Sequence, residues 1–167
     1  ISEVCQFTVY RPGMFYAWHN DGGSRPYIPF DPNNESQRLK DKNGSFVIHK
    51  DENGNEMKFD KSYGDGKYEG LPRYAPIPGF VDDQNFFNKT RKLSVTVNLT
   101  DPKNYKGGNL KFDFGPHSRD KRYYTCKEIR PRGSIIVFPS FVHHMVTPVT
   151  KGTRYSLVMW NCGKMFR

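Results

Sequence analysis

Three short stretches of this sequence hold side chains that can meet at a metal ion. His19-Asn20-Asp21 sets an imidazole and a carboxylate two residues apart, and at strand periodicity both point to the same face. Much later, one apolar stretch carries His143-His144 and the next carries Arg154-Tyr155-Ser156. A lone His-x-Asp pair is most often a surface turn. One more imidazole makes it two nitrogen ligands and one oxygen ligand, a set that leaves coordination positions open and suits non-haem Fe(II) activating O2. Such an iron has to take a bidentate 2-oxo acid and still keep a site for O2. Arg154 then offers a planar fork to the far carboxylate of a dicarboxylate co-substrate, and Ser156 shares its strand face. The neighbours Tyr155, Leu157, Val158, Met159 and Trp160 make this an apolar strand, where an unpaired charge is costly. At this level either histidine of the 143–144 pair can be the third ligand.

These stretches lie at opposite ends of the chain, so the fold has to bring the ends together. Nearly every regular stretch has period two. Val4 to Tyr10 alternates and stops at Arg11-Pro12-Gly13, and Met14 to Trp18 follows. Leu93 to Leu99 alternates without fault, with Leu93, Val95, Val97 and Leu99 on one face and Ser94, Thr96 and Asn98 on the other. Leu110 to Phe114 begins after a Gly107-Gly108 turn. Tyr123 to Ile129, Ser134 to Phe138, Val142 to Val149 and Thr153 to Asn161 complete the set. About eight short strands with no helical stripe predict an all-β jelly roll, whose strand order sets distant segments face to face.

The composition agrees with one β domain over residues 1–167. Only 35% of the 167 residues are hydrophobic, yet 10 Tyr and 13 Phe supply large core fillers, and 15 Gly with 12 Pro supply turns. A disordered chain would have few aromatics, and a membrane span would need about 18 consecutive apolar residues. An excursion at 22–90, after the second strand, holds 8 of the glycines and 6 of the prolines, which suits a substrate-binding loop or lid. Within it, Asn53-Gly54 predicts a type I′ hairpin turn, and no internal repeat is evident. The net charge of +9 is uneven: the excursion carries −1 and the remainder +10, densest between His117 and Arg132. That balance raises nucleic acid as a partner. Three cysteines (Cys5, Cys126, Cys162) without zinc-like spacing fit a reducing compartment. With no signal or transmembrane segment in view, a cytoplasmic protein is expected, although a chain that opens on Ile1 can have lost a targeting segment.

On these residues the sequence resembles the Fe(II)/2-oxoglutarate-dependent dioxygenases, within them the prolyl 4-hydroxylase-like branch of bacteria and phages. The resemblance runs through Tyr10-Arg-Pro-Gly13-Met-Phe-Tyr16-Ala-Trp-His19-Asn-Asp21, then Arg91 to Leu99 and Tyr105 to Leu110, and finally Gly133 to Ser156. It implies a double-stranded β-helix, with Fe(II) held by His19, Asp21 and a distal histidine, 2-oxoglutarate and O2 as co-substrates, and ascorbate as an accessory reductant. The family places the co-substrate arginine about ten residues after the last ligand, which selects His144 to go with Arg154. His143 then points to the other strand face. Arg154 and Ser156 correspond to the residues that hold the distal carboxylate, and Tyr10 to a tyrosine that hydrogen-bonds 2-oxoglutarate. Asn98 is expected to line the same pocket, while His49 and His117 match no motif and are expected at the surface.

The resemblance further implies hydroxylation of a peptidyl proline in a protein or peptide substrate, with release of succinate and CO2. Tyr63, Tyr68, Tyr74 and Phe80 of the excursion would grip the extended peptide. Oxidative demethylation of nucleic acid is the alternative enzyme reading, favoured by the basic core. Such demethylases usually carry a further arginine after the co-substrate one, which the run Arg154 to Trp160 lacks. The non-enzymatic alternative is a jelly-roll binding module, and a complete ligand set argues against it. Two features depart from the bacterial members: the length of the excursion after Asp21, and the lack of helices ahead of the first core strand.

Overall fold

Alternating sequence becomes strand where the backbone finds a neighbouring segment to pair with. The structure is a computed structural model that describes residues 1–22, 25–115 and 122–165. Its strands are β1 (Gln6–Tyr10), β2 (Tyr16–His19), β3 (Ile28–Pro29), β4 (Phe80–Val81), β5 (Lys89–Asn98), β6 (Tyr105–Gly107), β7 (Leu110–Asp113), β8 (Tyr123–Thr125), β9 (Ile135–Pro139), β10 (His143–Val146), β11 (Val149–Gly152) and β12 (Arg154–Lys164). The chain divides into two compact units, Ile1–Arg25 with Thr90–Arg167, and Pro26–Lys89.

In the first unit the eight expected strands form two four-stranded sheets, ordered β1-β12-β5-β9 and β2-β10-β7-β8. Each sheet sets a strand from the start of the chain beside one from its end, which is the double-stranded β-helix. The β1–β12 ladder is antiparallel and runs from Gln6 opposite Val158 to Tyr10 opposite Arg154. Thr8, Tyr10, Arg154 and Ser156 therefore share one face. The sheets close on Leu110, Phe112, Cys126, Ile129, Phe138 and Val146.

The faithful alternation of β5 resolves in an unusual sense. Its polar residues point inward: Ser94 and Asn98 have no exposed surface and Thr96 is buried, whereas Leu93 is exposed. The outer face of that sheet is apolar, with Phe7, Val9, Leu93, Ile135, Val137 and Tyr155 all exposed. Two expected strands are shorter than their sequence pattern. Tyr123 to Ile129 stops at Thr125, and Val142 to Val149 divides at Pro148, which has no N–H for a ladder. The β6–β11 pairing beyond that break is tight. A Cβ on Gly107 would lie 2.1 Å from the Pro148 carbonyl oxygen, and one on Gly152 would lie 1.9 Å from that of Asn104.

The second unit has its own core of Phe30, Phe59, Tyr63 and Tyr68, with Leu71, Tyr74, Phe80 and Phe87 packed against it. The Tyr63 hydroxyl donates to the Phe30 carbonyl. Tyr63, Tyr68, Tyr74 and Phe80 are thus spent on packing rather than held out as a peptide grip, because a segment so poor in aliphatic side chains has mainly rings to bury.

A ten-residue unit also recurs here, against the expectation of no repeat. Asp41 Oδ1 accepts from the N–H groups of Asn43 and Ser45 at 2.8 and 2.9 Å, and Asp51 Oδ1 accepts from Asn53 and Asn55, both at 2.9 Å. Gly44 and Gly54, at φ 83° and 85°, close the two turns. Asn53 keeps a negative φ, so its turn is a type I turn followed by a left-handed glycine and not the expected type I′. Bridges pair Arg38, Ile48 and Lys58 with Pro76, Tyr74 and Pro72, which aligns three successive pieces along residues 72–76. His49 is exposed on this unit. His117 and the start of the basic run to Arg132 lie outside the described residues. Among the described residues no helix is long and apolar enough to cross a membrane.

Candidate metal centre

His19 ends β2, Asp21 follows two residues later, and His144 lies in β10 directly opposite His19. The two imidazole centroids are 4.2 Å apart. Asp21 Oδ1 is 3.4 Å from His19 Nε2, and Oδ2 is 3.6 Å from His144 Nε2. All three candidate donor atoms fall within 4.8 Å of one another. Both rings present Nε2 for the same reason. His19 Nδ1 is 2.7 Å from the Ala17 carbonyl oxygen and His144 Nδ1 is 3.0 Å from that of Val142. A carbonyl oxygen only accepts, so each Nδ1 carries the proton and each Nε2 keeps its lone pair. Two imidazole nitrogens and one carboxylate, oriented by hydrogen bonds behind them, form a donor set that fits Fe(II).

The electrostatics keep Asp21 and His144 in the forms that can bind a metal. Burial pushes the Asp21 carboxyl upward, but the imidazole of His19, the Ser94 hydroxyl, the nearby Trp160 indole and the imidazole of His144 together outweigh it and bring the pKa down to about 2. The Trp160 indole N–H is buried and makes no well-formed hydrogen bond, yet it lies close enough to add to that effect. Burial also lowers the pKa of His144, which favours the neutral imidazole.

Behind the three donors lies a cleft of about 270 Å³ lined by Thr8, Tyr10, Tyr16, Thr96, Arg154, Ser156 and Trp160 among others. Arg154 is 2% exposed, and among the described residues no carboxylate pairs with it. Burial lowers its pKa, while the phenol oxygens of Tyr105 and Tyr10 oppose that effect. Its guanidinium carbon sits 5.6 Å from the Tyr10 ring centroid. Gly108 makes room for the side chain, since a Cβ there would come within 3.1 Å of Arg154 Cδ. Ser156 Oγ is 2.6 Å from Thr8 Oγ1. A buried guanidinium without an anion is expensive, so the cleft can accommodate an anionic group from outside.

The structure therefore brings His19, Asp21, His144, Tyr10, Arg154 and Ser156 to one cleft. His143 is exposed and pairs with Asp113 on the far face of β10. Asn98 is the correction. It is buried away from the cleft, where its Nδ2 donates to the carbonyls of Thr100 (2.8 Å) and Arg130 (2.7 Å) and so fastens the chain beyond β5. Residues not anticipated are Thr8, Ser94, Tyr105, Ser140 and Trp160. Thr8 and Ser94 carried a signal, as hydroxyls at inward positions of otherwise apolar strands. Ser140 and Tyr105 carried none.

The sequence model of the 2OG-Fe(II) oxygenase superfamily matches residues 73–162, a stretch that contains His144, Arg154 and Ser156 but not His19 or Asp21. The PKHD-type hydroxylase Syncc9605_1577 of Synechococcus sp. (strain CC9605) is 38% identical over 81 residues, 48% of this chain and 33% of that protein. The PKHD-type hydroxylase YbiX of Escherichia coli (strain K12 / DH10B) is 38% identical over 79 residues, 46% of this chain and 31% of that protein. The matches thus span about a third of these curated relatives. A crystal structure of a Pseudomonas putida prolyl-4-hydroxylase superposes with a TM-score of 0.44 and 18% identity, covering 93% of this chain and 50% of that one.

Proposed function

The chain belongs to the 2OG-Fe(II) oxygenase superfamily, and on that premise we propose that it is an Fe(II)- and 2-oxoglutarate-dependent hydroxylase of protein substrates, acting on a peptidyl proline. The observation that carries this reading is the pairing, in one cleft, of a two-histidine, one-carboxylate donor set with a buried arginine that has no acidic partner among the described residues. His19 and His144, through Nε2, and Asp21 hold the iron. When bound, iron supplies activation of O2, with 2-oxoglutarate oxidised to succinate and CO2 while the second oxygen atom enters the substrate as hydroxyl.

The chain's own residues do the rest. Arg154 grips the distal carboxylate with two parallel N–H donors, and the Thr8–Ser156 hydroxyl pair adds hydrogen bonds beside it. Tyr10 closes the same end of the cleft. Tyr16 lines the cleft, and with Trp18 and Tyr123 it offers exposed rings of the kind that dock extended proline-bearing peptides. The similarity to PKHD-type hydroxylases supports the reaction type.

The test is turnover with Fe(II), 2-oxoglutarate and O2 over a panel of proline-containing peptides. Succinate release with a one-oxygen mass gain on proline is expected. No succinate above a His19→Ala control would overturn the reading, and loss of methyl from a methylated oligonucleotide instead would move the substrate to nucleic acid.

A further inference from the structure

We propose that Ser140 and Ser94 form a hydroxyl relay that commits one oxygen of Asp21 to the protein and presents the other, alone, to the metal. The inference rests on the metal-centre reading above and deepens it. Both serines have no exposed surface. Ser94 Oγ lies 2.5 Å from Asp21 Oδ2 and 3.0 Å from Ser140 Oγ. An ionised carboxylate only accepts, so the Ser94 proton goes to Asp21, and the Ser94 oxygen must take its own hydrogen bond from Ser140. The direction of the whole chain is thereby set, and each bond polarises the next.

Ser140 holds the same residue a second way. Its carbonyl oxygen accepts the N–H of Asp21 at 2.9 Å and that of Gly22 at 3.1 Å, and its own N–H donates to the Lys92 carbonyl at 3.0 Å. Two residues later Val142 supplies the carbonyl that orients His144. The short turn between β9 and β10 thus sets two of the three ligands. Arg91 steadies the other flank: it stacks on Trp160 at 3.8 Å, donates to the Asp21 carbonyl at 3.5 Å and is clamped by both oxygens of Glu3 at 2.7 and 2.6 Å.

A carboxylate free to swing can bind a metal through both oxygens and take up a coordination position. With Oδ2 held by Ser94, Asp21 binds through Oδ1 only, and the position stays open for the co-substrate pair. Ser94 and Ser140 are positioning residues for the centre, which act through Asp21 without touching the metal.

The test is Mn(II) titration of the wild-type protein, Ser94→Ala and Ser140→Ala, followed by electron paramagnetic resonance in isotopically labelled water to count exchangeable waters on the bound ion. Ser94→Ala is expected to weaken Mn(II) binding by roughly 10- to 100-fold, and its bound Mn(II) to carry one exchangeable water fewer than wild type. Ser140→Ala keeps the bond from Ser94 to Asp21, so its loss of affinity should be smaller and its water count unchanged. Serines that only fill space would lower the melting temperature and leave affinity and water count alone, and that result overturns the relay. Wild-type protein that takes up no Mn(II) overturns the metal-centre reading, and the relay with it.

Discussion

His19 and His144 are direct cross-strand partners in the β2–β10 ladder, while His143, one residue away, faces Asp113 on the other side of the sheet. Adjacent histidines therefore differ in consequence. His144→Ala should abolish measurable Mn(II) binding, and His143→Ala should change the dissociation constant by less than about threefold, as expected of an exposed side chain. Equal losses in the two variants would mean that the strand presents the other face to the metal.

Among the described residues Arg154 is a buried cation with no carboxylate partner, which sets opposite signs for stability and binding. Arg154→Met removes the uncompensated charge and keeps the bulk, so the protein without ligand should melt at a higher temperature. The same variant should bind 2-oxoglutarate at least about 100-fold more weakly, through loss of two charge-assisted hydrogen bonds. Thermal melts with and without 2-oxoglutarate read both effects, and a lower melting temperature without ligand would show that the guanidinium is already compensated.

Acid should destabilise the metal-free protein in two separate steps. His144 has a folded pKa below its ordinary 6.5, so the unfolded chain binds a proton that the folded one refuses, and stability falls as the pH drops below about 6.5. Asp21 has a folded pKa of about 2 against an ordinary 3.8, so its contribution is present above 3.8 and is lost as the pH falls toward 2. Melting temperatures across an acid series measure this. A His144→Gln variant should lose the first step and keep the second.

Asn98 separates structure from binding. Asn98→Ala leaves the Thr100 and Arg130 carbonyls without their donor in a buried place, at a cost of about 1–3 kcal/mol by denaturant unfolding. The KM for 2-oxoglutarate should be unchanged. A raised KM with stability intact would return Asn98 to the cleft.

The eight core strands were legible because they are short β-prone runs, most of them alternating, that end near Gly, Pro or Asp. Their inward faces were harder to assign. β5 reads as Leu and Val on one side and Ser, Thr and Asn on the other, and the ordinary rule buries the aliphatic side. Here the polar side is inside because Thr96 borders the cleft, Ser94 holds Asp21 and Asn98 ties the chain beyond β5, and a single strand cannot disclose what the opposing sheet offers. Arg154 stood out since a charge in an apolar strand demands a reason. Ser140 did not, because its role arises from a turn between strands whose path depends on pairings far away in sequence. The aromatics of residues 26–89 misled for the converse reason: Tyr63 and Tyr68 look available in a glycine-rich segment until that segment is seen to build a core of its own.

The ten-residue recurrence in residues 38–58 makes the segment extensible. Arg38, Ile48 and Lys58 meet Pro76, Tyr74 and Pro72, so ten residues on one side advance the pairing by two on the other. Each hairpin closes on its own aspartate and glycine and asks nothing of its neighbour's turn. Duplication of one ten-residue block would lengthen the receiving segment by only two positions and preserve the alternation of its side chains. The size of this unit could thus change in discrete increments at little topological cost, without altering the pairing of the strands that carry His19 and His144.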